Sequence, residues 1–293
     1  MKDIEIIGMP MKYGCMVEGA DLAYSYLKDS LNKVFNKECN NVVDTSYEKP
    51  EVHKNDKKIK YLEPVMDINK RLYKKVYKSL EDNHIPLIIG GDHSLAMGSI
   101  EASLDYYNGD VSVIYIDKHA DIHNEKTTPS GNIHGMPLSI CIGRCDKRFD
   151  IGKNKLKPEN LYFLGLANFE QEEIDYIKEA NIYHLMDYEI EENNIHEIVN
   201  DIKSKLNTKY VHISFDLDSI KPADFPSVNV AVESTYQDDK GMSYQTVKKL
   251  INTVLNDFNV CSMDFVEYNP LLDKDKKDKE KIETLLEVIK ENL

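Results

Sequence analysis

The sequence predicts a predominantly parallel α/β sheet covered by helices on both faces. Short apolar runs recur along the chain, amphipathic helical stretches alternate with them, and several runs end in acidic or histidine-rich clusters. Runs at 4–8, 41–44, 87–90, 111–116, 161–165, 182–185, 210–215 and 260–265 give eight expected strands. Between them, 66–80 carries Ile68, Leu72, Val76 and Leu80 at four-residue steps, and 244–255 places Val247, Leu250, Ile251 and Leu255 on one face. These are the patterns of crossover helices. Alternation over the whole length predicts one sheet and one domain, 1–293, with right-handed connections. The charge-rich stretch 48–60 is an expected exposed loop ahead of a helix that Pro64 can open in its first turn. After the charge run 273–278, Ile282, Leu285, Leu286, Ile289 and Leu293 form a stripe expected to dock a terminal helix on the sheet, with an oligomer contact as its alternative.

Charge narrows the function classes. Lys+Arg of 37 against Asp+Glu of 51 gives a net charge of −14, which repels phosphate backbones and anionic lipid, so neither nucleic acid nor a membrane is an expected partner. The amino terminus alternates like a strand and lacks the apolar core of a signal peptide, and no run approaches a membrane span, so the expected location is cytoplasmic. Five scattered cysteines are expected to be reduced thiols. Cys141 and Cys145 lie one turn apart, but no second pair completes a zinc site, and packing accounts for them.

The chemistry concentrates at three strand ends. Asp117-Lys118-His119-Ala120-Asp121 follows the run 111–116, Asp216-Leu217-Asp218 follows 210–215, and Gly90-Gly91-Asp92-His93 ends 87–90. Residues two apart share a face of a strand, so Asp117, His119 and Asp121 are expected to converge, as are Asp216 and Asp218. With His93 these make six candidate metal ligands. Carboxylate and imidazole donors without thiolates suit a hard or borderline divalent ion such as manganese. One ion held by all six would leave no open position, so two ions about 3.5–4 Å apart fit the number better. Taken singly, each cluster also fits strand-end capping or a surface ion pair; the conjunction carries the inference. His134, in Ser130-Gly131-Asn132-Ile133-His134-Gly135, is a candidate proton shuttle, and Glu267, ending the last strand, is placed to grip a cationic group.

These motifs, together with Ile6-Ile7-Gly8-Met9-Pro10 and Val266-Glu267-Tyr268-Asn269-Pro270, resemble the ureohydrolase family almost end to end, and within it the arginases. The resemblance implies a three-layer α/β/α fold on an eight-stranded, predominantly parallel sheet, two Mn2+ per chain and a homo-oligomer, trimer or hexamer. By position, His93, Asp117, Asp121 and Asp216 would hold one ion, and Asp117, His119, Asp216 and Asp218 the other. Water activated by the ions would attack a guanidinium carbon. Asp121 would help move its proton, His134 would shuttle protons, and Glu267 would orient the guanidinium. The implied reaction takes L-arginine to L-ornithine and urea. His123, Ser130, Asn132 and Glu170 would contact the rest of this small-molecule substrate.

Departures from the family pattern cluster in the outer pocket. His123 stands where asparagine is usual, Gly165-Leu166-Ala167-Asn168-Phe169-Glu170 replaces a Gly-x-Arg stretch with a nearby aspartate, and Val230 replaces a common threonine. The turn Met16-Val17-Glu18-Gly19-Ala20 replaces an arginine-rich one. Lys118 stands where a small residue is common and is expected to find an acidic partner on the face away from the metals. The alternatives keep the mechanism and change the substrate (agmatinase, guanidinobutyrase or formimidoylglutamase), or keep only the fold, as a non-catalytic binding homologue.

Overall fold

The computed structural model describes residues 2–48, 50–54, 56, 58–228 and 239–293. Among these, seven strands form one sheet: β1 (Asp3–Met9), β2 (His84–Gly90), β3 (Val111–Ile116), β4 (Leu161–Leu166), β5 (Tyr183–Met186), β6 (Tyr210–Asp216) and β7 (Val260–Val266). Their order is β1-β2-β7-β6-β3-β4-β5, with every pairing parallel. The sheet thus has seven strands and not the expected eight. The run at 41–44 shrinks to a single parallel bridge between Val42 and Gly8. Only two valines follow the asparagines there, and Val42 is exposed while Val43 is buried, so little apolar surface is available to extend the ladder.

Helices α1 (Ala23–Phe35), α6 (Ile195–Lys205), α7 (Tyr244–Asp257) and α8 (Lys277–Asn292) cover one face; α2 (Leu62–Glu81), α3 (Ala96–Tyr106), α4 (Pro137–Ile142) and α5 (Gln171–Glu179) cover the other. The expected helix at 66–80 starts earlier, at Leu62, and carries Pro64 in its first turn, where the missing N–H would have no intrahelical partner. Helix α8 buries Ile282, Leu285, Leu286 and Ile289 while packing beside α1 and α7. Its stripe is therefore used within the chain. Cys141 is buried in the α4 layer, as packing predicts. No helix among the described residues is long and apolar enough to cross a membrane.

Strand order places the chemistry. Strands β2, β7, β6 and β3 are consecutive in the sheet although the chain visits them far apart. Their register aligns Ile116 with Phe215, Phe215 with Phe265, and Phe265 with Ile89. The residues following these four therefore leave the sheet side by side at its carboxyl edge, where parallel α/β sheets bind ligands. The backbone there is close-packed: a Cβ on Gly91 would lie 1.9 Å from the Met11 carbonyl oxygen, which only glycine avoids.

Candidate active site

The six candidate ligands meet at the floor of a cavity of about 610 Å³. His93 Nδ1 lies 2.9 Å from Asp117 Oδ2, 3.0 Å from Asp216 Oδ2 and 3.3 Å from Asp121 Oδ2. His119 Nδ1 lies 3.0 Å from Asp218 Oδ2 and 3.6 Å from Asp117 Oδ1. Asp117 is thus shared between the two imidazoles. The convergence does not come from continued strand alternation, because β3 stops at Ile116 and the next residues are irregular. Asp117 instead caps its own turn, accepting from His119 N at 2.7 Å, and Asp121 reaches the cluster through a left-handed backbone, φ 48°. Asp216 likewise accepts from Asp218 N at 2.7 Å and starts a short 3-10 turn. Glu267, at φ 68°, is a second non-glycine residue in this sparsely allowed region.

Electrostatics favour a cation here. Burial and the charges of Asp218 and Asp117 push Asp216 well above the usual carboxylate range. Burial also pushes Asp117 up, together with Asp218 and Asp121. Burial opposes the ionisation of Asp218 too, yet the charges of His119 and Lys118 hold it low. Asp218 Oδ1 is buried without a hydrogen-bond partner, and Asp117 Oδ2 faces the His93 ring nitrogen at 2.9 Å. Four crowded carboxylates beside two imidazoles presenting Nδ1 are a donor set that divalent cations satisfy and protons do not.

Glu267 Oε1 accepts from His93 N at 2.7 Å, while Oε2 is buried and without a partner. His134 sits in a 3-10 turn, Ile133–Gly135, with its N–H on the Gly14 carbonyl and Nδ1 3.7 Å from Glu267 Oε1. Burial works against protonation of His134, but Glu267 and the charges of Asp121 and Asp92 outweigh it and raise its pKa.

The outer wall holds the remaining expected residues. Ser130 and Asn132 line the cavity, with Asn132 Oδ1 accepting from Lys60 at 3.1 Å. His123 Nε2 lies 3.0 Å from Glu170 Oε2 and 3.6 Å from Glu173 Oε2. Glu170 also starts α5 in a capping box with Glu173, which fixes both carboxylates. Burial, followed by the neighbouring Glu170, pushes Glu173 up to about 9. Glu173 was not anticipated, although Glu170-x-x-Glu173 is a capping signature visible in the sequence. Two further neighbours were missed. Tyr115 stacks on His93 and donates to Asp121 Oδ2 at 2.9 Å, and Asp92 ties Gly14 beneath His134 at 2.9 Å.

Lys118 corrects an expectation. It is 1% exposed, no carboxylate among the described residues forms an ion pair with it, and its charge acts on Asp218, on the metal side. Val230 lies outside the described residues.

A profile described as the Arginase family matches residues 2–289. An arginase of Staphylococcus aureus (strain COL) is 34% identical over 286 residues, covering 93% of this chain and 91% of that protein. One from Bacillus subtilis (strain 168) is 32% identical over 285 residues, covering 94% and 93%. The crystal structure of Bacillus caldovelox arginase superposes with a TM-score of 0.88 at 27% identity, covering 99% of this chain and 97% of that one. Fold, site and relatives together define a metal-dependent hydrolase of linear amidine carbon–nitrogen bonds. The chain belongs to the arginase family.

Proposed function

We propose that this protein hydrolyses L-arginine to L-ornithine and urea with two manganese ions, held by His93, Asp117, Asp121 and Asp216 on one side and by Asp117, His119, Asp216 and Asp218 on the other. The carrying observation is the cage of four carboxylates and two imidazoles beneath a cavity lined by Glu267, whose Oε2 is buried and unpartnered. Paired divalent ions supply water that is nucleophilic near neutral pH. The protein's own groups do the rest. Glu267 Oε2 accepts from the guanidinium and fixes its plane, since its other oxygen is committed to His93 N. Asp121, oriented by Tyr115, takes up a proton at the attacking side. His134, its pKa raised, is suited to hand a proton to the departing amine. Ser130 and Asn132 stand at the outer wall, where an α-carboxylate would arrive.

The His123–Glu170 pair decides how well arginine fits. Glu170 is the carboxylate placed for an α-ammonium, but His123 already contacts it, so the substrate competes with an imidazole for that oxygen. A hydrogen bond to a charged group is worth about 1.5–3 kcal/mol, which converts to roughly tenfold or more in affinity. Arginine is thus expected to be the best substrate but with a high KM. The double change His123→Asn with Glu170→Asp should lower that KM by about tenfold. Because the two residues touch, the single changes should not add. The test is a screen of manganese-loaded protein for urea release from arginine, agmatine and guanidinobutyrate, and for formamide release from formiminoglutamate. Faster turnover of any of the last three moves the assignment to that substrate within the same family.

A further inference from the structure

A buried polar chain that the proposed reaction does not use runs through the sheet behind His93. On β6, Ile213 and Phe215 join the core beside α7 and α8, so the alternate residues His212 and Ser214 face the α3 side; on β7, Ser262 and Asp264 face the same way. There, Asp264 Oδ2 gathers three donors: Ser99 Oγ at 2.8 Å, His212 Nε2 at 3.0 Å and Ser214 Oγ at 3.3 Å. Asp264 Oδ1 has none. All four residues are 0% exposed. Ser214 Oγ in turn lies 2.9 Å from His93 Nε2.

Stability is a poor explanation for this arrangement. Replacing both partners of a buried polar contact by apolar side chains of the same shape can be nearly neutral or stabilising, and an oxygen left bare in the interior adds cost. The direction of the chain suggests another role. With Nδ1 of His93 turned to the carboxylate cage, its Nε2–H donates to Ser214, whose hydroxyl donates to Asp264. The carboxylate can accept from every neighbour and donate to none, so the order cannot reverse. His119 has no comparable support: its side chain is 32% exposed, and no hydrogen bond to its other ring nitrogen occurs among the described residues.

We infer that Asp264, acting through Ser214 and braced by His212 and Ser99, is a positioning residue that fixes the tautomer of His93 and strengthens Nδ1 as a donor to one of the two ions. The inference rests on the dinuclear reading above. It makes the two metal positions unequal in a way the ligand set alone does not, because only the His93 ion is tied to a charge across the sheet. Losing an outer partner of a metal-bound histidine typically costs about 10–100-fold in metal affinity.

The test uses manganese titration of the full chain by calorimetry, with electron paramagnetic resonance to report coupled ion pairs. Asp264→Asn keeps the shape and removes the charge; Ser214→Ala cuts the chain at a small residue and leaves Asp264 with two donors. In each variant one equivalent should weaken by about 10–100-fold while the other is unchanged, and the coupled signal should give way to that of single ions at limiting metal. The double variant should be no worse than either single one, since both interrupt one path. Two unchanged equivalents in both variants would overturn the inference while leaving the dinuclear site intact, as would equal weakening of both ions or additive effects. A parent protein that takes up no manganese would overturn the dinuclear reading and this inference with it.

Discussion

Asp216→Ala protein, reconstituted with manganese, is expected to retain fewer than two ions per chain and to release urea from arginine at least about 10²–10³ times more slowly, the usual cost of deleting one preorganised electrostatic group. Asp216 ends β6, lies 3.0 Å from His93 Nδ1 and stands in both proposed ligand sets. Removing it would leave the two proposed ions with less negative charge between them, so their mutual repulsion would be less compensated. The metal-free variant should behave differently. Burial and like charges raise the Asp216 pKa, so the folded state binds its proton more tightly than the unfolded state. Its contribution to stability is present at low pH and is lost as pH rises through the raised value. At neutral pH alanine removes that penalty, while losing the cap on Asp218 N costs about 1 kcal/mol. The apo variant should therefore melt near the apo parent, and the gain in Tm on adding manganese should shrink. Unchanged metal content and turnover would contradict the role of Asp216.

The second large effect belongs to His134. His134→Ala should lower kcat by about 10²–10⁴-fold, the range for general acid–base help, with metal content and Tm near those of the parent. The 3-10 turn is anchored by the His134 backbone N–H on Gly14, which alanine keeps, whereas the side chain reaches the cavity wall beside Glu267 and Asp121. Added imidazole should restore part of the rate. A variant that unfolds or loses its ions would make His134 structural or a ligand instead.

The sequence revealed the site more readily than its architecture. Asp117, His119, Asp121, Asp216, Asp218 and His93 stood out because each cluster follows an apolar run, and short spacing survives any error in strand order. Their convergence has a different cause from the one expected. Asp121 arrives through a left-handed turn, which pleat alternation does not describe. The insertion of β7 and β6 between β2 and β3 is a long-range choice with no local signal. The strand at 41–44 failed because pairing depends on how much surface a neighbour can bury, and a two-valine run offers little. Asp264 and His212 escaped notice because, inside apolar runs, they look like ordinary strand positions until the partners from α3 and β6 are known. Lys118 was misjudged because its partner was expected on the face away from the metals, whereas its charge acts toward Asp218. The outer pocket was partly legible: His123 and Glu170 stood out as departures, but their contact with each other, which turns two changes into one unit, needed the fold.

The central claim is a pair of ions held at the carboxyl ends of β2, β3 and β6, and anomalous diffraction from manganese-loaded crystals, collected at the manganese edge, tests it most directly. The account predicts two peaks about 3.5–4 Å apart, one bounded by His93 and Asp121, the other by His119 and Asp218, with Asp117 and Asp216 between them. A single peak, or peaks away from these six residues, would contradict it.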